Sequence, residues 1–178
     1  VIDEVARAIC RAERPPGVAT TLVAIDGFGG AGKSTFAAQL AEHLGVEVVH
    51  TDDFASWEVP LEWWPRLLEE VLSPLAVGDP ARFQRYDWDA RALAEWHEIE
   101  PSGIVLIEGV SSSRDEFRSH LSYAVWIDTP RDVRLRRGLE RDGVDAADQW
   151  ANWMADEDAW AAAQLPQFRT NVVVTGMS

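Results

Sequence analysis

The sequence predicts an α/β protein built on a parallel sheet, and three observations carry that expectation. Five short apolar runs recur along the chain, amphipathic helical stretches separate them, and a glycine-rich segment joins the first run to the helix after it.

The first stretch, VIDEVARAICRAER, is a charged amphipathic helix that lacks the apolar centre of a secretion signal. TLVAID (Thr21–Asp26) is the first strand candidate, followed by VEVVH (Val46–His50), GIVLIEG (Gly103–Gly109), YAVWID (Tyr123–Asp128) and NVVVTG (Asn171–Gly176). Near-continuous apolar runs of this length suit strands covered on both faces. Between the first two, Phe36, Leu40 and Leu44 share a helix face that stops at Gly45. Leu61, Trp64, Leu68, Val71 and Leu72 form a second helical stripe. Ser113 with Glu116 has capping-box spacing, and Thr129 before Pro130 reads as an N-cap with proline at the first helical position.

Asp52 to Pro101 is the exception, about fifty residues between the second and third runs, where a crossover needs roughly a dozen. It carries Trp57, Trp63, Trp64, Trp88 and Trp96, and is expected to be an insertion covering a small-molecule site. Its aromatic residues either stack on a planar group or fill a core beneath the insertion.

At 178 residues the chain is most simply one domain spanning 1–178. Thirty acidic against sixteen basic residues leave a net charge of −14, which repels a phosphate backbone and argues against broad nucleic-acid or anionic-membrane binding. No apolar run reaches the roughly 18–20 residues of a membrane span. The lone Cys10 cannot form an internal disulfide, and no Cys/His cluster has zinc spacing, so a cytoplasmic setting is expected.

From Gly27 the chain reads GFGGAGKS, which satisfies G-x-x-x-x-G-K-[ST]. Glycines let the backbone curl until successive N–H groups point at phosphate oxygens, and the following helix adds its N-terminal dipole. Gly27, Gly29, Gly30, Ala31, Gly32, Lys33, Ser34 and Thr35 are therefore the candidate nucleotide-binding residues, with Lys33 reaching the β- and γ-phosphates and Ser34 ligating Mg²⁺. No N/T-K-x-D tetrapeptide for reading guanine occurs, and IVLIEG ends in a single acid, Glu108, where motor-type ATPases usually carry two. Small-molecule kinases remain as the main class. Such an enzyme needs a carboxylate beside the attacking hydroxyl. VVHTDDF offers Asp52 as base, with Asp53 next to it, at a strand end where ligands of open α/β sheets bind. Glu108 is a second metal candidate beside Ser34. DTPRDVRLRRGLERD gathers Arg131, Arg134, Arg137 and Arg141 into a lid over about 131–145, where Arg134 and Arg137 can stabilise the transferring phosphoryl group. A turn or cap role for either aspartate, and a solvated ion-paired face for the arginines, are the competing readings.

Together these pieces resemble the uridine kinase branch of P-loop kinases, from Thr21 to Gly176. IDGFGGAGKST is similar to that family's phosphate loop, and HTDDF to its strand-end Asp-x-Phe segment, which sets the base at Asp52 and the following aromatic at Phe54. RYDWDARAL resembles the Tyr-Asp-aromatic segment, carrying over Tyr86, Asp87 and Trp88 as acceptor contacts, and Asp53 and Trp57, close to Asp52 in sequence, are further acceptor-binding candidates. Arg91 stands where the family has a histidine that helps read the pyrimidine, and ERDGVDAADQW lacks an Arg-Gly-Arg continuation. The resemblance implies a P-loop NTPase fold: a five-stranded parallel sheet flanked by helices, with a short lid after the fourth strand. It also implies ATP and Mg²⁺ as cofactors and the 5′-hydroxyl of a pyrimidine nucleoside as acceptor. The departures leave two alternatives. One is a kinase for a nucleoside monophosphate, sugar phosphate or other metabolite, whose phosphate would draw on Arg82, Arg85 or Arg91. The other is an ATP-binding regulatory switch.

Overall fold

The structure, a computed structural model, describes residues 1–56, 62–101 and 103–176. In chain order its elements are α1 (Ile2–Ile9), β1 (Thr21–Asp26), α2 (Lys33–Leu44), β2 (Glu47–His50), α3 (Trp64–Leu67), α4 (Ser73–Val77), β3 (Ala81–Asp87), β4 (Ala92–Ile99), β5 (Ile104–Glu108), β6 (Leu121–Asp128), α5 (Arg131–Asp142), α6 (Ala147–Gln164) and β7 (Val172–Thr175). All five apolar runs are strands of one sheet, in the order β2-β5-β1-β6-β7, and every pair is parallel.

The apolar runs are continuous because both faces of the sheet are covered. Successive side chains of a strand alternate faces. Leu22, Val105 and Ile107 point into one core, which they share with Val49, Leu67, Leu72 and Phe83. Val23, Ile25, Leu106 and Val125 point into the other, against α1 and α2 through Val5, Ile9, Phe36 and Leu40.

The long insertion is where the fold departs from expectation. Besides the expected helical stripe it contains an antiparallel hairpin, β3 with β4, which the sequence had not suggested. Asp87 closes its turn by accepting the backbone N–H groups of Asp89 (3.0 Å) and Ala90 (2.8 Å), and Arg91 takes a left-handed conformation at φ 50°. The predicted stripe is helical from Trp64, but α3 passes through a π-turn at Leu68–Leu72 before α4. Leu61 and Trp57 lie outside the described residues. Trp63 is 4% exposed and packs 6.1 Å from Phe117, so it fills the core beneath the insertion.

Two expected helix caps are spent elsewhere. Ser113 donates to Asp26 rather than capping a helix, and Glu116 instead takes the Arg114 guanidinium. Thr129 donates to the carbonyl of Ala31, and α5 begins at Arg131, one residue after Pro130. In both cases a buried backbone or carboxylate oxygen of the strand–helix junction outcompetes a local cap.

Among the described residues no helix is long and apolar enough to cross a membrane. The two final helices pack at close range, because an added Cβ at Gly138 would lie 2.3 Å from the Trp150 ring. Helix propensity alone favours alanine over glycine by about 1 kcal/mol. Overpacking against a buried ring costs about 1–3 kcal/mol. Gly138→Ala is therefore expected to lower the melting temperature by a few degrees, and a rise in a thermal melt would refute the tight α5–α6 contact.

Candidate active site

β1 delivers the glycine-rich segment to the carboxyl end of the sheet, and its last residue sets the loop's start. Asp26 is fully buried and accepts four hydrogen bonds, from the N–H groups of Gly27 (2.7 Å), Ser111 (2.9 Å) and Ser113 (2.8 Å) and the hydroxyl of Ser113 (2.6 Å). Burial pushes its carboxyl up, while these bonds and the charge of Lys33 pull against that shift. Gly30 has φ 74°, and a Cβ there would lie 2.6 Å from the carbonyl oxygen of Arg134, so both conformation and space require glycine. Lys33 is buried and its Nζ donates to the carbonyl of Phe28 at 3.0 Å. Ser34 and Thr35 follow in the first, exposed turn of α2.

A chain of polar groups crosses from the loop to the neighbouring strand ends. The Ser34 hydroxyl donates to Glu108 Oε1 at 3.2 Å, and Glu108 Oε2 lies 2.7 Å from His50 Nδ1. Among the described residues no cluster of three or more His, Cys, Asp or Glu side chains could hold a metal alone. A phosphate-bound Mg²⁺ asks for less: one or two protein oxygens, with substrate oxygens and waters completing six. The hard oxygens of Ser34 and Glu108 fit that demand.

Asp52 and Asp53 lie in the short 3-10 turn Thr51–Asp53 that follows β2. Asp52 keeps an open face, yet the crowded cleft walls desolvate it and push its carboxyl above the usual range. Lys33, His50 and Arg141 pull it back, and Glu108 adds to the rise. Asp53 is raised by the same desolvation, opposed first by His50.

The residues expected at an acceptor divide in three. Trp88 is half-buried and donates its indole N–H to the Asp52 carbonyl at 3.1 Å, joining the hairpin to the strand end. Tyr86 is buried with its ring edge-on to Trp88, 5.5 Å between centroids. Phe54 points away into the core, 4.8 Å from Phe83. Asp87 is committed to the hairpin turn and to Arg85, and Arg91 sits exposed in that turn.

The lid arginines also separate by role. Arg134 is buried behind the loop, 4.4 Å above the Phe28 ring, donating to Thr129 O at 3.1 Å and to Glu157 at 3.4 Å. Arg134 is thus engaged inside the protein, where the sequence had suggested a lid cation beside Arg137 for the transferring phosphoryl group. Arg137 donates to the carbonyl of Gly30 at 3.3 Å, and Arg141 pairs with Asp142 while its charge is felt at Asp52. Sequence reasoning did not single out Asp26, His50 or Glu157. Asp26 and His50 each end a strand run, a usable signal; Glu157 lies in an acidic helix with nothing in its spacing to mark it.

The His50–Glu108 contact makes stability depend on pH. Its hydrogen bond to Glu108 raises the His50 pKa above 6.5, so the contribution is complete below that value and is lost as pH rises through the raised one. His50 is about half exposed, which limits the effect to about 1–3 °C of melting temperature. The wild-type protein should lose that increment in thermal melts as pH rises from below 6.5 through the raised His50 value, and a His50→Gln variant with the same pH slope would rule the contact out.

Comparison with known proteins gives consistent results. Residues 23–159 match the family described as AAA domain, AAA_18. The curated uridine kinase of Halobacterium salinarum is 25% identical over 141 residues, covering 69% of this chain and 63% of that protein. The phosphoribulokinase of Synechocystis is 26% identical over 156 residues, covering 78% of this chain and 46% of that protein. The matched regions thus span less than two thirds of either relative. A solved structure of a possible uridine kinase from Bacillus stearothermophilus superposes with a TM-score of 0.72 at 22% identity, covering 97% of this chain and 96% of that one, which is a likeness of fold. With its phosphate loop, its sheet order and a match across most of its length, the chain belongs to the AAA domain family and has a uridine kinase-like P-loop fold.

Proposed function

We propose that the protein is an ATP- and Mg²⁺-dependent phosphotransferase that moves a γ-phosphoryl group to a hydroxyl of a small uncharged acceptor of the pyrimidine-nucleoside class. The observation that carries this reading is a convergence at the carboxyl end of the sheet: the Ser34 hydroxyl of the glycine-rich loop lies 3.2 Å from Glu108, Glu108 lies 2.7 Å from His50, and Asp52 follows two residues later in the turn after β2, where the charges of Lys33 and Arg141 also bear on it. A carboxylate with no chemical task would have little reason to sit where a phosphate-binding lysine, a candidate metal ligand and a lid arginine converge.

Bound in the loop, Mg·ATP supplies the transferable phosphoryl group and the cation that screens its charge. Lys33 and the amides of Gly30 and of Gly32 to Thr35 would hold the phosphates, the Ala31 N–H being bonded to the Phe28 carbonyl at 3.1 Å, and Ser34 with Glu108 would hold the metal and its waters. Asp52 orients the acceptor hydroxyl and takes its proton, a role its raised pKa suits better than that of an ordinary surface aspartate. Arg137, already against the loop, and Arg141, whose charge reaches Asp52, supply positive charge as the phosphoryl group moves. Arg134 acts from behind the loop.

The acceptor class rests on the hairpin. Arg85 is clamped between Glu95 (2.7 Å) and Asp87 (3.2 Å), and Arg82 lies over the Trp96 ring at 4.3 Å. Both of these cations are engaged within the hairpin, which favours a neutral acceptor over a phosphorylated one. Trp88 presents the aromatic surface beside Asp52, with Tyr86 behind it.

Incubation with Mg·ATP and a panel of nucleosides, nucleoside monophosphates and sugar phosphates, read by mass spectrometry, tests this directly. A single phosphoryl gain on a pyrimidine nucleoside is expected, abolished by EDTA and reduced about 10²–10⁴-fold in Lys33→Ala or Asp52→Asn. Gain on a sugar phosphate alone would overturn the acceptor class, and hydrolysis without any acceptor would favour the regulatory switch. The pH–rate profile of kcat/KM should fall on its acid side at a pH above 3.8, the ordinary Asp value, because Asp52 must be ionised to accept a proton. Persistence of that limb in Asp52→Asn would remove Asp52 as its source.

A further inference from the structure

Glu157 lies in α6, 128 residues beyond Gly29, yet the two meet. Its carboxylate is fully buried at 0% exposure. Oε1 accepts the Gly29 N–H at 2.6 Å and the indole N–H of Trp153 at 2.6 Å, and Oε2 faces the Arg134 guanidinium at 3.4 Å. A Cβ at Gly29 would lie 3.0 Å from both Glu157 Oε1 and Trp153 Nε1, so the contact closes on bare backbone. Burying a carboxylate is costly unless it is paired and hydrogen-bonded, and an apolar residue would hold α6 in place more simply. With no access to solvent, Glu157 cannot touch an acceptor or a transferring phosphoryl group. Whatever it does, it does through the groups it touches: the loop at Gly29, Trp153 and Arg134.

We propose that Glu157 is a positioning residue of the phosphate loop. By taking the Gly29 N–H from behind, it fixes the plane of that peptide and so aims the next amides, from Gly30 onward, at the bound phosphates. The proposal rests on the reading of this loop as the nucleotide site. Two properties of Glu157 can be separated by substitution. Glu157→Gln keeps an acceptor of the same reach and loses the charge opposite Arg134, whereas Glu157→Asp keeps the charge and withdraws it from Gly29.

The test uses the full chain in all three forms, with calorimetric affinities for Mg·ADP, thermal melts and the ¹H–¹⁵N resonance of Gly29. Glu157→Gln should melt earlier than wild type because Arg134 loses its counter-charge, yet bind Mg·ADP within about 3-fold of wild type and show the Gly29 amide downfield of its position in Glu157→Asp, as the short hydrogen bond at 2.6 Å implies. Glu157→Asp should bind at least about 10-fold more weakly and lose the downfield shift. A purely structural role would instead make affinity follow melting temperature across the series. That outcome overturns the proposal, as does an aspartate variant that binds like wild type or a glutamine variant as weak as the aspartate. If wild type itself binds no nucleotide, the phosphate-loop reading falls, and this proposal falls with it.

Discussion

A loop that turns its amides inward for phosphate must have its remaining polar groups satisfied from outside, and the architecture around Gly27 to Ala31 is organised by that constraint. Each of these residues has a different partner: Gly27 N–H meets Asp26, Phe28 O meets Lys33, Gly29 N–H meets Glu157, Gly30 O meets Arg137 and Ala31 O meets Thr129. The partners come from β1, α2, α6, α5 and the end of β6. Buried backbone groups without partners are costly, so the loop acts as the point at which the sheet and the last two helices must agree in position.

The same arrangement reconciles a strongly acidic body with a phosphate site. At −14 the molecule as a whole repels a nucleotide. Locally, Lys33 and Arg141 both bear on Asp52, Arg137 holds the Gly30 carbonyl of the loop, and Arg134 is consumed by a buried carboxylate. The acids nearest the site, Glu108 and Asp52, suit a metal and a proton, so their negative charge is an asset to the proposed chemistry.

Five strands and the glycine-rich loop were legible because each depends on local pattern: continuous apolar residues for a doubly covered strand, fixed spacing for a phosphate cradle. The hairpin was not, although ALAEWHEI alternates weakly, because its turn uses Asp87 and a left-handed Arg91 in place of the usual glycine. Ser113 and Thr129 read as helix caps for a related reason. Sequence shows the hydroxyl and its neighbours, but Asp26 and Ala31, the oxygens that actually take those protons, lie 87 and 98 residues away. Arg134 and Arg137 differ by one helical turn, and tertiary contacts with Phe28, Thr129 and Glu157 decide which is buried.

The strand order has a kinetic consequence. β1 is made early, but its neighbours β5 and β6 begin at residues 104 and 121, and the sheet closes only with β7 at 172. Parallel pairings of such long sequence separation carry a large loop-closure entropy and fold slowly. During synthesis the glycine-rich segment therefore spends most of the elongation time without the strands that flank it and without α6, its apolar β1 unpaired and open to wrong partners. Assistance by chaperones, or ligand present while the last helix arrives, should matter more to the yield of this protein than to its final stability.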